Sequence, residues 1–209
     1  MSSREAILAN LGYAHRHDRP VEPWKTRRRF EDPVGRFEVS LAGLKGEVRR
    51  AESLDGAWDV LGIVLDELKA DRCVANQEPP IVGYDLVTRY PECDWHLVGQ
   101  SEGDLRAACA AADVGLSGVS AALVETGSLI VESGEGQSRL ATLLPTVHIV
   151  MVPESKLTTD LHTWSAEREE GIATNVTVIS GPSKTADIEF TLTLGAHGPK
   201  RVIAILYAD

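Results

Sequence analysis

The chain is short of cysteine, has no surplus of positive charge and contains no long apolar run. Its 209 residues include only three cysteines, Cys73, Cys93 and Cys109. No Cys-x-x-Cys pair occurs, so neither an iron–sulfur cluster nor a zinc knuckle is suggested, and three reduced, structural thiols are expected. A net charge of −10 argues against nucleic acid as the main partner, because phosphate binding needs a basic face. No apolar stretch approaches the roughly 20 residues that span a bilayer. The N-terminus shows no apolar h-region with a cleavage site. The expectation is therefore a cytoplasmic protein without membrane insertion. His15, His17 and His162 do not assemble a ligand set by spacing, so no metal site is expected. A Walker loop, internal repeats and low-complexity tracts are also absent.

What remains is the composition of an ordinary globular chain, 43% hydrophobic and 25% charged, long enough for one well-buried domain. Ser3 to Leu11 predicts a short helix. Residues 15–33 are poor in aliphatics and form an expected extended arm, with Trp24 and Phe30 available to clip it onto the body or another subunit. Phe37, Leu41, Leu44 and Val48 fall at helical spacing. Trp58, Leu61, Leu65 and Leu68 mark a second helix over Leu54 to Lys69. Arg72 to Ala75 predicts a short buried strand, Ile81-Val82 a weaker one and Trp95 to Val98 a third. Gly103 to Ala111 predicts a small-residue helix.

Farther on, Ala121 to Glu125 and Ser128 to Val131 are joined through Thr126-Gly127, the pattern of a hairpin. Ser138 to Leu144 predicts one or two helical turns ended by Pro145. Val147 to Val152 is a buried strand, and Pro153 and Ser155 open an expected helix to about Glu170. Asn175–Ile179, Ile188–Leu194 and Val202–Leu206 complete the strands. This alternation predicts an α/β fold, a mixed and mainly parallel sheet flanked by helices, with a helical and extended N-terminal arm.

Polar residues gather at several strand ends, where open α/β sheets place ligand sites. Glu125, Thr126 and Gly127 present a carboxylate beside backbone amides, or else form a tight turn in which the glycine supplies a positive φ. Gly134, Gly136, Ser138 and Arg139 suit an anion at a helix start, or an ordinary capped loop. Ser183, Lys184, Thr185 and Asp187 are candidates to bind an anionic ligand and position an acid or base. A Pro-stiffened turn is the alternative. His197, between Gly195 and Pro199, is a candidate proton shuttle or a solvent-facing turn residue. His148 alternates with Val147 and Ile149, as a satisfied core or sheet-face histidine would. The basic run Lys25–Arg29 is either a solvated arm or a contact for acidic groups, the chain's own or a partner's.

Leu116-Ser-Gly-Val-Ser120, Val124-Glu-Thr-Gly-Ser128, Ser138-Arg-Leu-Ala-Thr-Leu-Leu-Pro145, Val147-His-Ile-Val150, Ser180-Gly-Pro-Ser-Lys-Thr-Ala-Asp-Ile-Glu189 and Leu194-Gly-Ala-His-Gly-Pro199 together resemble the LUD domain, in its lactate-utilisation protein C branch. The resemblance covers roughly residues 50–209. It divides the chain into an N-terminal helix and arm, 1–50, and a LUD domain, 51–209. It implies a fold like that of the NagB/RpiA/CoA-transferase group and membership of a three-protein system that oxidises L-lactate to pyruvate. Iron–sulfur clusters would lie only on the partner oxidoreductase subunits, with no cofactor in this chain. On this reading the chain is a non-redox component that binds substrate or partner subunits. A self-sufficient enzyme for a phosphate- or CoA-type ligand is the alternative, with Glu125 as the nucleophile that CoA transferases use. The loops at 133–139 and 180–200 would then face one another across a single cleft.

Overall fold

The computed structural model describes residues 3–5, 24, 26–168, 173–186, 192–194 and 198–209. A six-stranded sheet of order β1-β12-β7-β4-β2-β3 forms its centre. The strands are β1 Glu47–Ala51, β2 Arg72–Ala75, β3 Asp94–Leu97, β4 Val114–Ser117, β7 Val147–Pro153 and β12 Arg201–Tyr207. Every neighbouring pair in this sheet is parallel. A parallel sheet is covered on both faces, which is why β7 and β12 are almost uninterrupted apolar runs. The mainly parallel α/β architecture expected from the alternation of elements is the one present.

One face is covered by the helix Leu54–Leu68. Ser53 caps it, its Oγ accepting from Gly56 N at 3.1 Å. Its Ala57, Trp58, Leu61 and Leu65 pack on Val114, Ile149, Ile203 and their neighbours. The opposite face is covered by a second, four-stranded sheet, β8-β5-β6-β9. Its strands are β5 Ala121–Leu123, β6 Ser128–Ser133, β8 Leu157–Thr158 and β9 Asn175–Ile179. Leu129, Val131 and Ile179 from this sheet meet Val150, Val152, Val202 and Leu206. The short helices Leu105–Ala111 and Arg139–Leu143 cover the rest of that face, over Val74 and Val98.

Several expectations need correction. The helix carrying Phe37 and Leu41 is Pro33–Gly43, capped by Asp32, with both side chains fully buried. Val48 belongs instead to β1, because Lys45 adopts φ 72° and breaks the helix before it. Residues 33–51 thus join the central core, and position 50 lies inside β1. Ile81 is buried in a turn rather than a strand. The helix expected from Pro153 to Glu170 is divided into a 3-10 turn at Glu154–Lys156, the short β8, and a helix at Leu161–Glu167. Asp160 starts that last helix, its carboxylate accepting from Thr163 N at 2.8 Å. Lys184–Ala186, expected in a loop, forms strand β10, antiparallel to β11, Leu192–Leu194. Most of the expected 3–11 helix lies outside the described residues.

Residues 15–23 and 25 of the expected arm lie outside the described residues, and its described part clips onto the body. Trp24 meets His162 edge-on with ring centroids 4.9 Å apart, and Phe30 packs against the core under Pro33–Gly43. Arg28 of the basic run pairs with Glu125. All three cysteines are free and buried, and burial pushes the Cys109 thiol up to about 11. No helix among the described residues is long and apolar enough to cross a membrane.

Candidate functional site at the carboxyl edge of the parallel sheet

In an open parallel sheet, ligands bind outside the carboxyl ends of the strands, where the chain leaves two adjacent strands toward opposite faces. Here that place lies between β2 and β4. After β2 the chain runs to Ile81 and Leu86, which pack on the face covered by Leu54–Leu68. After β4 it enters β5, which packs on the other face through Ala122. The two departing segments leave a crevice, and a cleft of about 390 Å³ opens there.

Each wall comes from a strand end. Glu78, Pro79 and Pro80 follow β2, and Val119 and Ser120 follow β4. Ser155 and Lys156 follow β7, and Tyr207 and Asp209 end β12. Glu132 and Gln137 come from the second sheet and its loop.

Glu78 is the most unusual group in the cleft, a carboxyl only 8% exposed. Its Oε1 accepts from Gly118 N at 2.8 Å and makes a longer contact with Asn76 Nδ2 at 3.5 Å. Gly118 has no side chain for a reason visible here: a Cβ would lie 2.2 Å from the Pro79 carbonyl oxygen. Only glycine lets the two loops close so that its amide reaches Glu78. Burial raises the Glu78 pKa to about 7 against the two hydrogen bonds that favour the ionised form. Glu132, by contrast, is half-buried and pairs with Arg168 at 2.6 Å. Asp209 receives hydrogen bonds from Ser155 N and Oγ, which hold its carboxyl below the usual range.

The loop at 134–137 is anchored to this site. Gly136 O accepts from Gln77 N at 2.8 Å, and Asn76 Oδ1 accepts from Ser138 N at 2.9 Å. Ser138 Oγ in turn accepts from Leu140 N at 3.2 Å. The first polar groups of Arg139–Leu143 are therefore engaged within the protein, and Arg139 is exposed beside a separate depression with Ser133 and Asn175. Gly134, Gly136, Ser138 and Arg139 thus flank the cleft, with Gln137 as their contribution to its lining.

The remaining sequence candidates are placed elsewhere. Glu125, Thr126 and Gly127 form the β5–β6 turn, at the end of β5 opposite Ser120. Gly127 has φ 68°, and a Cβ there would meet Leu41 N at 2.2 Å. Thr126 Oγ1 donates to Ser128 Oγ at 2.8 Å, which pairs with Ser180 Oγ at 2.7 Å. Ser180 therefore sits at the Ser128 end of β6, and the 133–139 loop at the other end. Five residue steps along β6 separate these ends, roughly 16 Å at about 3.3 Å per residue. Ser183 and Lys184 lie beyond Ser180, where Ser183 N donates to Pro199 O at 2.9 Å and Lys200 N to Thr146 O, ahead of β7. Among the described residues, Ser180–Lys184 therefore lie away from the 133–139 loop, toward the other end of β6. Thr185 lies in the short strand 184–186, while Asp187 and His197 fall outside the described residues. Substituting Gly127→Ala is expected to cost about 2 kcal/mol or more through overpacking and a disfavoured φ. Urea denaturation measures this, and a cost near zero would contradict the packing described.

His148 is fully buried, with Nε2 2.8 Å from Ser117 Oγ. The serine hydroxyl donates to Gly118 O, so Nε2 carries the proton toward Ser117, leaving Nδ1 without a partner. Burial depresses its pKa to about 3. The imidazole is a neutral strut under the Gly118 loop. Among the described residues no group of three or more His, Cys, Asp or Glu is placed to hold a metal ion.

The site-forming residues that sequence reasoning passed over are Asn76, Glu78 and Lys156. A usable signal was present: the buried strand Arg72–Ala75 runs directly into Asn76-Gln-Glu78 and then two prolines.

Comparison with known proteins adds the family context. A family model described as LUD domain matches residues 63–207. A lactate utilization protein C from Halalkalibacterium halodurans is 32% identical over 154 residues, 70% of this chain and 66% of that protein. Another, from an Exiguobacterium species, is 32% identical over 158 residues, 72% of this chain and 67% of that protein. The chain spans about two thirds or less of the length of the curated relatives it matches. A crystal structure of a DUF162 family protein from Deinococcus radiodurans superimposes with a TM-score of 0.60 and 19% identity, over 84% of this chain and 96% of that one. At that identity the likeness speaks for the fold.

Proposed function

The chain belongs to the LUD domain family, in its lactate utilization protein C branch, and from that membership we propose that it is a component of an L-lactate utilisation system. The observation that carries this reading is the similarity to proteins of that name over some 70% of the chain. In this reading it works beside iron–sulfur oxidoreductase subunits in the oxidation of L-lactate to pyruvate and contributes binding rather than electron transfer. Its donor set supports the division of labour. Cluster ligation commonly takes four thiolates, whereas this chain has three cysteines. Burial raises the pKa of each.

Its working part is the carboxyl-edge cleft, where strand ends, a buried carboxyl and a lysine converge. A CoA-transferase-like role for Glu125 has less support, because that carboxylate is paired with Arg28 on the far side of the hairpin.

Deleting the gene is expected to abolish growth on L-lactate and leave growth on pyruvate intact. Affinity capture of the chain from lactate-grown cells should bring down the iron–sulfur subunits. Normal growth of the deletion strain on L-lactate would refute the reading.

A further inference from the structure

Glu78 has one oxygen accounted for and one left open. Oε1 takes the Gly118 amide and the Asn76 contact, whereas Oε2 has no hydrogen-bond partner among the described residues. The side chain is more than nine-tenths buried yet lines the cleft, so Oε2 is the atom it offers to an occupant. The position is fixed from two sides: Gly118 bonds it from the β4 loop, and Asn76 joins it to the 134–138 loop through Ser138.

The groups around it set what can bind. Lys156, from the turn after β7, is the only lysine or arginine in the cleft lining among the described residues. Glu132 from β6 faces the same space with its charge met by Arg168, and the Asp209 carboxylate is held by Ser155. Tyr207, from the end of β12, stays a neutral phenol, since burial pushes its pKa to about 12. Ser120 and Gln137 add uncharged donors. With Glu132 met by Arg168, an ionised Glu78 and Asp209 would together confront the single ammonium of Lys156, and an anion would be repelled. With Glu78 neutral, its O–H becomes a donor aimed into a site whose other carboxylates are already paired.

We propose that Glu78 is the proton-carrying recognition group of this cleft: its neutral Oε2–H donates to an oxygen of a small 2-hydroxy or 2-oxo carboxylic acid, so that the acid binds only to the protein that holds this proton. Lys156 takes the ligand's carboxylate charge. The identity of the acid rests on the lactate-utilisation reading, while the proton requirement rests on the cleft itself.

The consequence is a binding constant linked to pH. Ionisation of Glu78 removes the donor and adds a like charge, so affinity is constant at low pH and falls tenfold per unit once the carboxyl has lost its proton. Between pH 6 and pH 9 the loss is about 100-fold. Glu78→Gln keeps a donor, through its amide, and a carbonyl for Gly118 N, but cannot ionise.

The experiment is calorimetric titration of the full chain with L-lactate and with pyruvate at pH 6 to 9, for the wild type, Glu78→Gln and Lys156→Met. The expected results are the 100-fold decline in the wild type, a flat profile for Glu78→Gln with tighter binding than wild type at pH 9, and weaker binding at every pH for Lys156→Met. A decline that persists in Glu78→Gln, a wild-type profile without a decline, or no binding of either acid would overturn the inference. None of these outcomes touches the growth phenotype of the deletion strain, on which the lactate-utilisation reading stands or falls separately. Should Glu78→Gln fail to fold, carbon NMR of the wild-type protein labelled at the glutamate carboxyl decides the matter. One resonance must titrate near neutrality, and saturating L-lactate must shift its midpoint upward. No such upward shift overturns the inference.

Discussion

Replacing Glu78 by glutamine stabilises the folded protein by about 3 kcal/mol at pH 8 and leaves it nearly unchanged at pH 4. The cause is the raised pKa of the buried carboxyl, about 7 against an ordinary 4.5. A carboxyl whose value is raised on folding holds its proton more tightly in the folded state. Its favourable contribution is complete below about pH 4.5 and is lost progressively as pH rises toward 7. Above 7 the folded protein carries a desolvated charge that the unfolded chain places in water. Glutamine keeps the shape and the acceptor for Gly118 N without that charge. Urea denaturation of both proteins at half-unit pH intervals measures the difference. If the two stability curves run parallel from pH 4 to 8, Glu78 titrates as an ordinary surface carboxyl and the burial argument is wrong.

The second large effect is expected at Gly118. An alanine methyl there would lie 2.2 Å from the Pro79 carbonyl oxygen and 3.0 Å from Glu78 Cγ. The first of these neighbours is backbone, so the loops must separate. We expect a cost of about 3 kcal/mol and loss of the hydrogen bond from residue 118 to Glu78. Thermal denaturation reports the first, and carboxyl-labelled NMR reports the second through a changed Glu78 midpoint. A variant as stable as wild type, with an unchanged midpoint, would mean that the two loops are not locked together by this glycine.

These two positions also mark how far the sequence discloses the protein. The strands at 72–75, 147–153 and 201–207 were legible because they are apolar runs of strand length, and Leu54–Leu68 because of its apolar stripe. Val48 misled for a physical reason. Its spacing from Leu44 fits a helix, but Lys45 and Gly46 break the helix first, and alternation over only five residues of β1 is too short to register. At 153–170 a proline and a serine imitate a helix start, while the real cap is Asp160, after the β-branched pair Thr158-Thr159.

The site was harder to see than the fold. Glu78 looks like an exposed loop glutamate until β2 is known to lie beside β4, some 40 residues later in the chain. Its burial comes from topology, which no local pattern states. Gly118 could be quoted as part of a family signature, yet the reason for it is the Pro79 carbonyl across the crevice. Conversely, the polar loop at 180–184 attracted attention through its composition, and the structure puts it away from the 133–139 loop, toward the other end of β6.

We propose that this member of the LUD domain family serves lactate utilisation through its carboxyl-edge cleft. Complementation of the deletion strain on L-lactate, with Glu78→Ala set against Glu125→Ala at matched protein levels, tests it most directly. Glu78→Ala is expected to fail to restore growth, whereas Glu125→Ala restores it, since the Arg28–Glu125 pair is a surface contact of small energetic weight. Growth restored by Glu78→Ala and lost with Glu125→Ala would contradict it and move the working site to the β5–β6 turn.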